Sequence, residues 1–200
     1  MITEPRRALR TARLVAVIAS GVVIATTVVV VGAITPGYSQ MSETVSRLGS
    51  AGQPHAWLER AGILLYGLLV VFGAGALGSH APSRERLFAC AIGGYGIAAV
   101  VSGLAPKDPP HAPHTLPSQI HVDASLFGGA MMLVAMVLVA RYAPVRADRT
   151  VAAALAGRTG IGVIVFRFTW GSSIYGLVER ALLAIAVLWL ALLARQSLRA

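Results

Sequence analysis

Leu14-Val-Ala-Val-Ile-Ala-Ser-Gly-Val-Val-Ile-Ala-Thr-Thr-Val-Val-Val-Val-Gly-Ala-Ile-Thr35 carries no charged residue. A helix that crosses the hydrocarbon core of a bilayer needs about 20 predominantly apolar residues. This stretch meets that length. Five further stretches repeat the pattern: Ala61 to Ser79, Leu87 to Leu104, Ile120 to Ala140, Thr150 to Phe168, and Ile174 to Ala194. The fifth carries Arg158 inside it. Backbone amides in lipid have no water to bond, so such runs are read as helices. The expected fold is all-α: an integral membrane bundle of six transmembrane helices, formed by residues 1–200 as a single membrane domain.

Composition agrees. The 200 residues are 56% hydrophobic and only 12% charged, with a mean hydropathy of +0.72. An ordinary soluble domain is about 45–50% apolar and about 25% charged. A soluble enzyme, a disordered tail and a collagen-like fibre are thereby excluded. The lone Cys90 excludes an intramolecular disulfide framework and any multi-cysteine metal site.

The formal net charge is +9. The basic residues fall at the ends of apolar runs and do not form a patch interleaved with aromatics, so no nucleic-acid partner is expected. Arg6, Arg7, Arg10, Arg13, Arg84, Arg86, Arg141, Arg146, Arg149, Arg195 and Arg199 belong to one side of the bundle. Arg47, Arg60, Lys107 and Arg167 belong to the other. Basic residues favour the cytoplasmic side, which predicts both termini in the cytoplasm of a cell (inner or plasma) membrane. Arg, Ala and Val usage hints at a GC-rich bacterial genome. The first apolar run exceeds the h-region of a signal peptide, about 7–15 residues, so a retained helix is expected.

Ionisable groups within spans are costly and mark function or pairing. His121 and Asp123 open the fourth span, and Glu179 and Arg180 lie early in the sixth. Both pairs fall about 5–9 Å below the outer surface. They either staple helices as ion pairs or form a polar pocket. Arg158 is expected to be packed and paired, with snorkelling to the inner interface as the alternative. His111, His114 and His121 are candidate ligands for a zinc ion, although their spacing matches no recognised zinc motif. The outer segment Pro36–Gly49 reads as a turn and a short helix, with Met41, Val45 and Leu48 on one side. It suits an interfacial helix or a cap on the bundle.

Three segments together resemble a known family. They are Pro36-Gly-Tyr-Ser39 with Ser46-Arg-Leu-Gly49; Gly103-Leu-Ala-Pro-Lys-Asp108 followed by His121; and Gly176-Leu-Val-Glu-Arg180 running into Leu188-Trp189. The chain is similar to the bacterial and archaeal multi-pass membrane proteins grouped as domain-of-unknown-function family 998. The resemblance implies a six-span bundle and supplies no established activity. It points to Tyr38, Ser39, Ser46, Asp108, His121, Glu179 and Arg180 as positions of interest.

The function these residues suggest is an outward-facing polar His/Asp/Glu pocket that binds a lipid or small amphiphile. In it Asp108, His121 and Glu179 would hold the head or do chemistry. Tyr38, Ser39, Ser46, Asp123 and Arg180 would line it, with Arg180 paired to Glu179 or to an anionic headgroup. Membrane lipids are the expected surroundings. The alternatives are a membrane-embedded hydrolase or transferase on lipid or isoprenoid substrates, with His121 as acid/base, and a non-catalytic accessory subunit.

Overall fold

The structure, a computed structural model, describes residues 4–78, 83–142 and 146–199. These residues form seven helices and no strand. The six long ones are α1 (Glu4–Ile34), α3 (Ala56–Gly78), α4 (Ser83–Leu104), α5 (Leu116–Tyr142), α6 (Arg146–Phe168) and α7 (Tyr175–Arg199); α2 (Val45–Leu48) is a single turn between α1 and α3. All six long helices are long and apolar enough to cross a membrane. Ser79, the expected end of the second span, lies outside the described residues.

Most helices run beyond their apolar cores. The first begins ten residues before Leu14, with Glu4 in its first turn and Pro5 at its start. Proline tolerates that position because its missing N–H would be unpaired there anyway. The helix ends where Thr35-Pro36-Gly37 follows, and Gly37 takes a left-handed φ of 72° that glycine adopts without strain. At the start of α5, Thr115 caps the helix: its Oγ1 accepts from the Ser118 N–H at 3.4 Å.

Each long helix packs on its neighbours in sequence, and α7 closes back on α1. The result is a ring in the order α1, α3, α4, α5, α6, α7. Arg10 Nη2 donates to the Ser197 carbonyl at 2.9 Å, so both termini lie at one end of the bundle. The segments 35–55, 105–115 and 169–174 lie at the other.

Glycine makes the α3–α4 contact close. A Cβ on Gly67 would lie 2.7 Å from both the Gly96 carbonyl oxygen and the Val100 nitrogen. One on Gly103 would lie 2.9 Å from the Arg60 carbonyl oxygen. Lipid tails are as apolar as leucine, so helices in a bilayer associate through such close backbone packing. Leu14, Val17, Val70, Ile92, Met136 and Leu190 fill the buried centre. By contrast, Gly157 and Gly160 on α6 face open space. The half of α6 from Ile161 to Phe168 is largely exposed.

Two expectations change. Arg158 is exposed on α6. It is not packed into the bundle, because α6 turns that face outward. The short helix α2 buries Val45 and Leu48 but leaves Met41 exposed. The segment therefore caps the bundle end, as an apolar pair pointing inward requires.

Candidate functional site

Inside the ring, towards the end capped by α2, lies a cavity of about 250 Å³ lined by residues from all seven helices. Its polar lining includes Ser46 of α2, Ser102 of α4, His121 and Ser125 of α5, Thr159 of α6 and Glu179 of α7. Deeper, Met132, Leu183, Ala186, Ile63 and Ile24 make an apolar wall. From His121 to Met132 the wall runs about 16 Å along α5, at about 1.5 Å per residue. Tyr66 and Tyr95 also line it; their hydroxyls bond at 2.6 Å, one donating to the other, and their rings meet edge-on. Ser125, Gly129 and Val163 line the cavity yet are exposed. The cavity is therefore open sideways, between α5 and α6.

The fold determines the state of His121. The side chain is buried, and its Nδ1 lies 2.9 Å from both the Ser102 and Ala105 carbonyl oxygens. Carbonyls only accept, so Nδ1 carries the proton and donates. Nε2 has no protein partner among the described residues. Ser125 Oγ donates to the His121 carbonyl at 2.8 Å and sits 3.2 Å from Ser102 Oγ. With the Ser125 proton committed, Ser102 is the donor of that second bond.

Segment 38–46 closes the capped end because α7 holds it. Arg180 Nε donates to Gln40 Oε1 at 2.7 Å, and Nη1 donates to the Glu43 and Gly176 carbonyls at 2.8 Å each. Nη2 donates to the Tyr38 hydroxyl, and the guanidinium lies 5.5 Å from the Tyr38 ring centroid. Tyr38 donates in turn to the Thr44 carbonyl at 2.9 Å. Burial pushes its phenol up to about 12, partly opposed by Arg180. Glu179 Oε2 accepts the Val45 N–H. Gly176 permits this arrangement, since a Cβ there would collide with the Glu43 carbonyl.

The residues singled out in the sequence thus separate into three groups. Ser46, His121 and Glu179 line the cavity. Tyr38 and Arg180 build its cap, and Ser39 supports it by donating its N–H to Glu43 Oε2 at 3.0 Å. Asp108 and Asp123 stand apart. Asp108 accepts from the Thr115 N–H at 2.7 Å and the Thr115 hydroxyl at 2.8 Å. It orders the loop into α5, and those bonds hold its carboxyl below the usual range. Asp123 is exposed on α5, about 200° around the helix from His121. Arg180 does not pair with Glu179, because its donors are taken by the cap. His111 and His114 are exposed in the loop. Among the described residues no three His, Cys, Asp or Glu side chains gather where a metal could be held.

Three further residues also matter. Gln40 receives Arg180. Lys107 Nζ donates to Ser46 Oγ at 3.2 Å, and burial draws its ammonium below the usual lysine range against the pull of Glu179. Glu59 is 1% exposed, and its Oε1 has no partner. Its carboxylate occupies the space a Cβ on Gly49 would take. Glu59 stands two residues before the apolar run that opens at Ala61, and nothing local signals its burial or the role of Gln40.

A closed ring of six long apolar helices defines a multi-pass membrane protein. The sequence profile of the family described as Protein of unknown function (DUF998) matches residues 17–196. The chain belongs to that family. No match was found among curated proteins or solved structures.

Proposed function

We propose that the cavity binds a lipid or small amphiphile, head at the capped end and tail against the apolar wall. The carrying observation is the division of one cavity into a polar end of Ser46, Ser102, His121, Ser125 and Glu179 and an apolar end around Met132 and Ala186. Ligand cavities are mostly apolar with a few placed polar groups, and commonly measure about 300–1,000 Å³. At about 250 Å³, this one suits a head and a short length of chain. The opening between α5 and α6 lets the rest of the chain remain in lipid. The excess of arginine towards the termini supports a capped end facing away from the cytoplasm.

A hydrolase or transferase reading receives less support. His121 leans on two carbonyls and not on a carboxylate. Ser125 is engaged with its own helix. Among the described residues lining the cavity, no hydroxyl is linked to a base as an activated nucleophile would be.

The test is mass spectrometry of amphiphiles that accompany the detergent-purified protein, beside Gly129→Phe. A Cβ at Gly129 meets nothing within 4 Å, so the ring enters the cavity opening without displacing backbone. The expected result is a stoichiometric amphiphile in the wild type that is lost from a folded Gly129→Phe variant. If the wild type carries none, and added lipids leave its melting temperature unchanged, the binding reading fails. An accessory role then stands in its place.

A further inference from the structure

We infer that the head accepted by this cavity is a hydrogen-bond donor, a hydroxyl or an amine, and not a phosphate or carboxylate. This rests on the cavity being an amphiphile site and adds the chemistry of the head. Three of the donors at the polar end are already spent. Ser125 gives its proton to the His121 carbonyl, and Ser102 gives its proton to Ser125. His121 gives its Nδ1 proton to two carbonyls, and in the neutral ring this leaves Nε2 as an acceptor. Glu179 uses Oε2 on the Val45 N–H, and its Oε1 has no protein partner among the described residues.

Of the nearby cations, Arg180 and Arg60 are held by the cap and the backbone. Arg180 serves Gln40, Glu43, Gly176 and Tyr38. Arg60 donates to the Gly103 and Leu104 carbonyls at 3.2 and 3.0 Å. Lys107 donates to Ser46. None of these three lines the cavity, where Glu179 is the one acidic lining residue. An anionic head would meet that carboxyl group and three acceptor oxygens or nitrogens, while the cations lie outside the lining. Unpaired charge in a low-dielectric site is strongly unfavourable. A hydroxyl or ammonium head meets partners for each of its protons.

The experiment is a competition assay on the full chain in phosphatidylcholine nanodiscs. Radiolabelled 1-decylglycerol is the probe; decylamine, decyl phosphate and decanoate are the competitors. Decylglycerol or decylamine is expected to bind at least about tenfold tighter than either anion, the worth of about one hydrogen bond at 1.4 kcal/mol. Glu179→Gln keeps an acceptor for Val45 and removes the charge, so it should narrow the amine-over-phosphate ratio about tenfold. His121→Asn keeps a donor for the two carbonyls and withdraws the distal acceptor, so it should weaken decylglycerol about tenfold while the melting temperature holds. Decyl phosphate or decanoate binding as tightly as the donors would overturn the head assignment and leave the cavity reading intact. No saturable binding of any probe, with Gly129→Phe indistinguishable from wild type, would overturn both.

Discussion

Arg180 shows how one side chain ties loop to helix. Its guanidinium meets four acceptors in two stretches of chain. Arg180→Ala should cost about 2–3 kcal/mol, since charge-assisted hydrogen bonds contribute about 1.5–3 kcal/mol each but this group is only part-buried. Arg180→Lys should recover little, because a point charge cannot reproduce the planar fork. Unfolding in mixed micelles checks both. Asp108 gives a pH signature. Its pKa is lowered first by the Thr115 backbone N–H. Its contribution is therefore complete above the unfolded value of about 3.9 and is lost as pH falls through the lowered folded value. Protease cleavage within 105–115 should rise in that acidic window. Asp108→Asn should show the elevated cleavage already at pH 7, with no acid transition. Arg180 and Glu179 were legible in the sequence as costly groups in a span. Their partners were not, since Gln40 and Val45 lie more than 130 positions away.

At the scale of elements, the α3–α4 crossing and α6 are opposites. Gly67 and Gly96 each face the backbone of the other helix, and a backbone cannot rotate aside. Gly67→Val or Gly96→Leu should lower stability by at least about 1–3 kcal/mol, the usual cost of overpacking. Gly157 meets nothing. Gly157→Ala should instead be neutral or stabilise by about 0.5–1 kcal/mol, because alanine gives up less conformational freedom in a helix. Melting of the three variants in one detergent decides the comparison. The glycine-rich sequence of α3 and α4 announced close packing. It did not say which glycines meet backbone, because that depends on the rotation of each helix about its axis. The exposure of Arg158 has the same origin: the sequence places it in a span, and only the packing of α6 decides the side it faces.

Over the whole molecule, α1, α3, α4 and α5 make a tight layer, and α6 completes the ring loosely. The most apolar stretch of α1 is 44% buried, against 17% for α6. Local opening follows low contact density, so α6 amides should exchange with deuterium faster than those of α3 and α4 in micelles. Equal protection would show that the ring opens as one unit. Gly129→Phe, placed at the α5–α6 opening, should leave the α3–α4 pattern unchanged. The sequence by itself determined six apolar spans, the all-helical class, the family, and the gathering of polar residues at one end. Those properties follow from segment length and composition, because lipid forces each apolar run to satisfy its own backbone. Only the tertiary structure decided that His121, Ser46 and Glu179 share a cavity while Asp108 and Asp123 do not. It also decided that the donors of Arg180 are spent on the cap. Both depend on helix rotation and on contacts between distant positions, which local sequence does not encode.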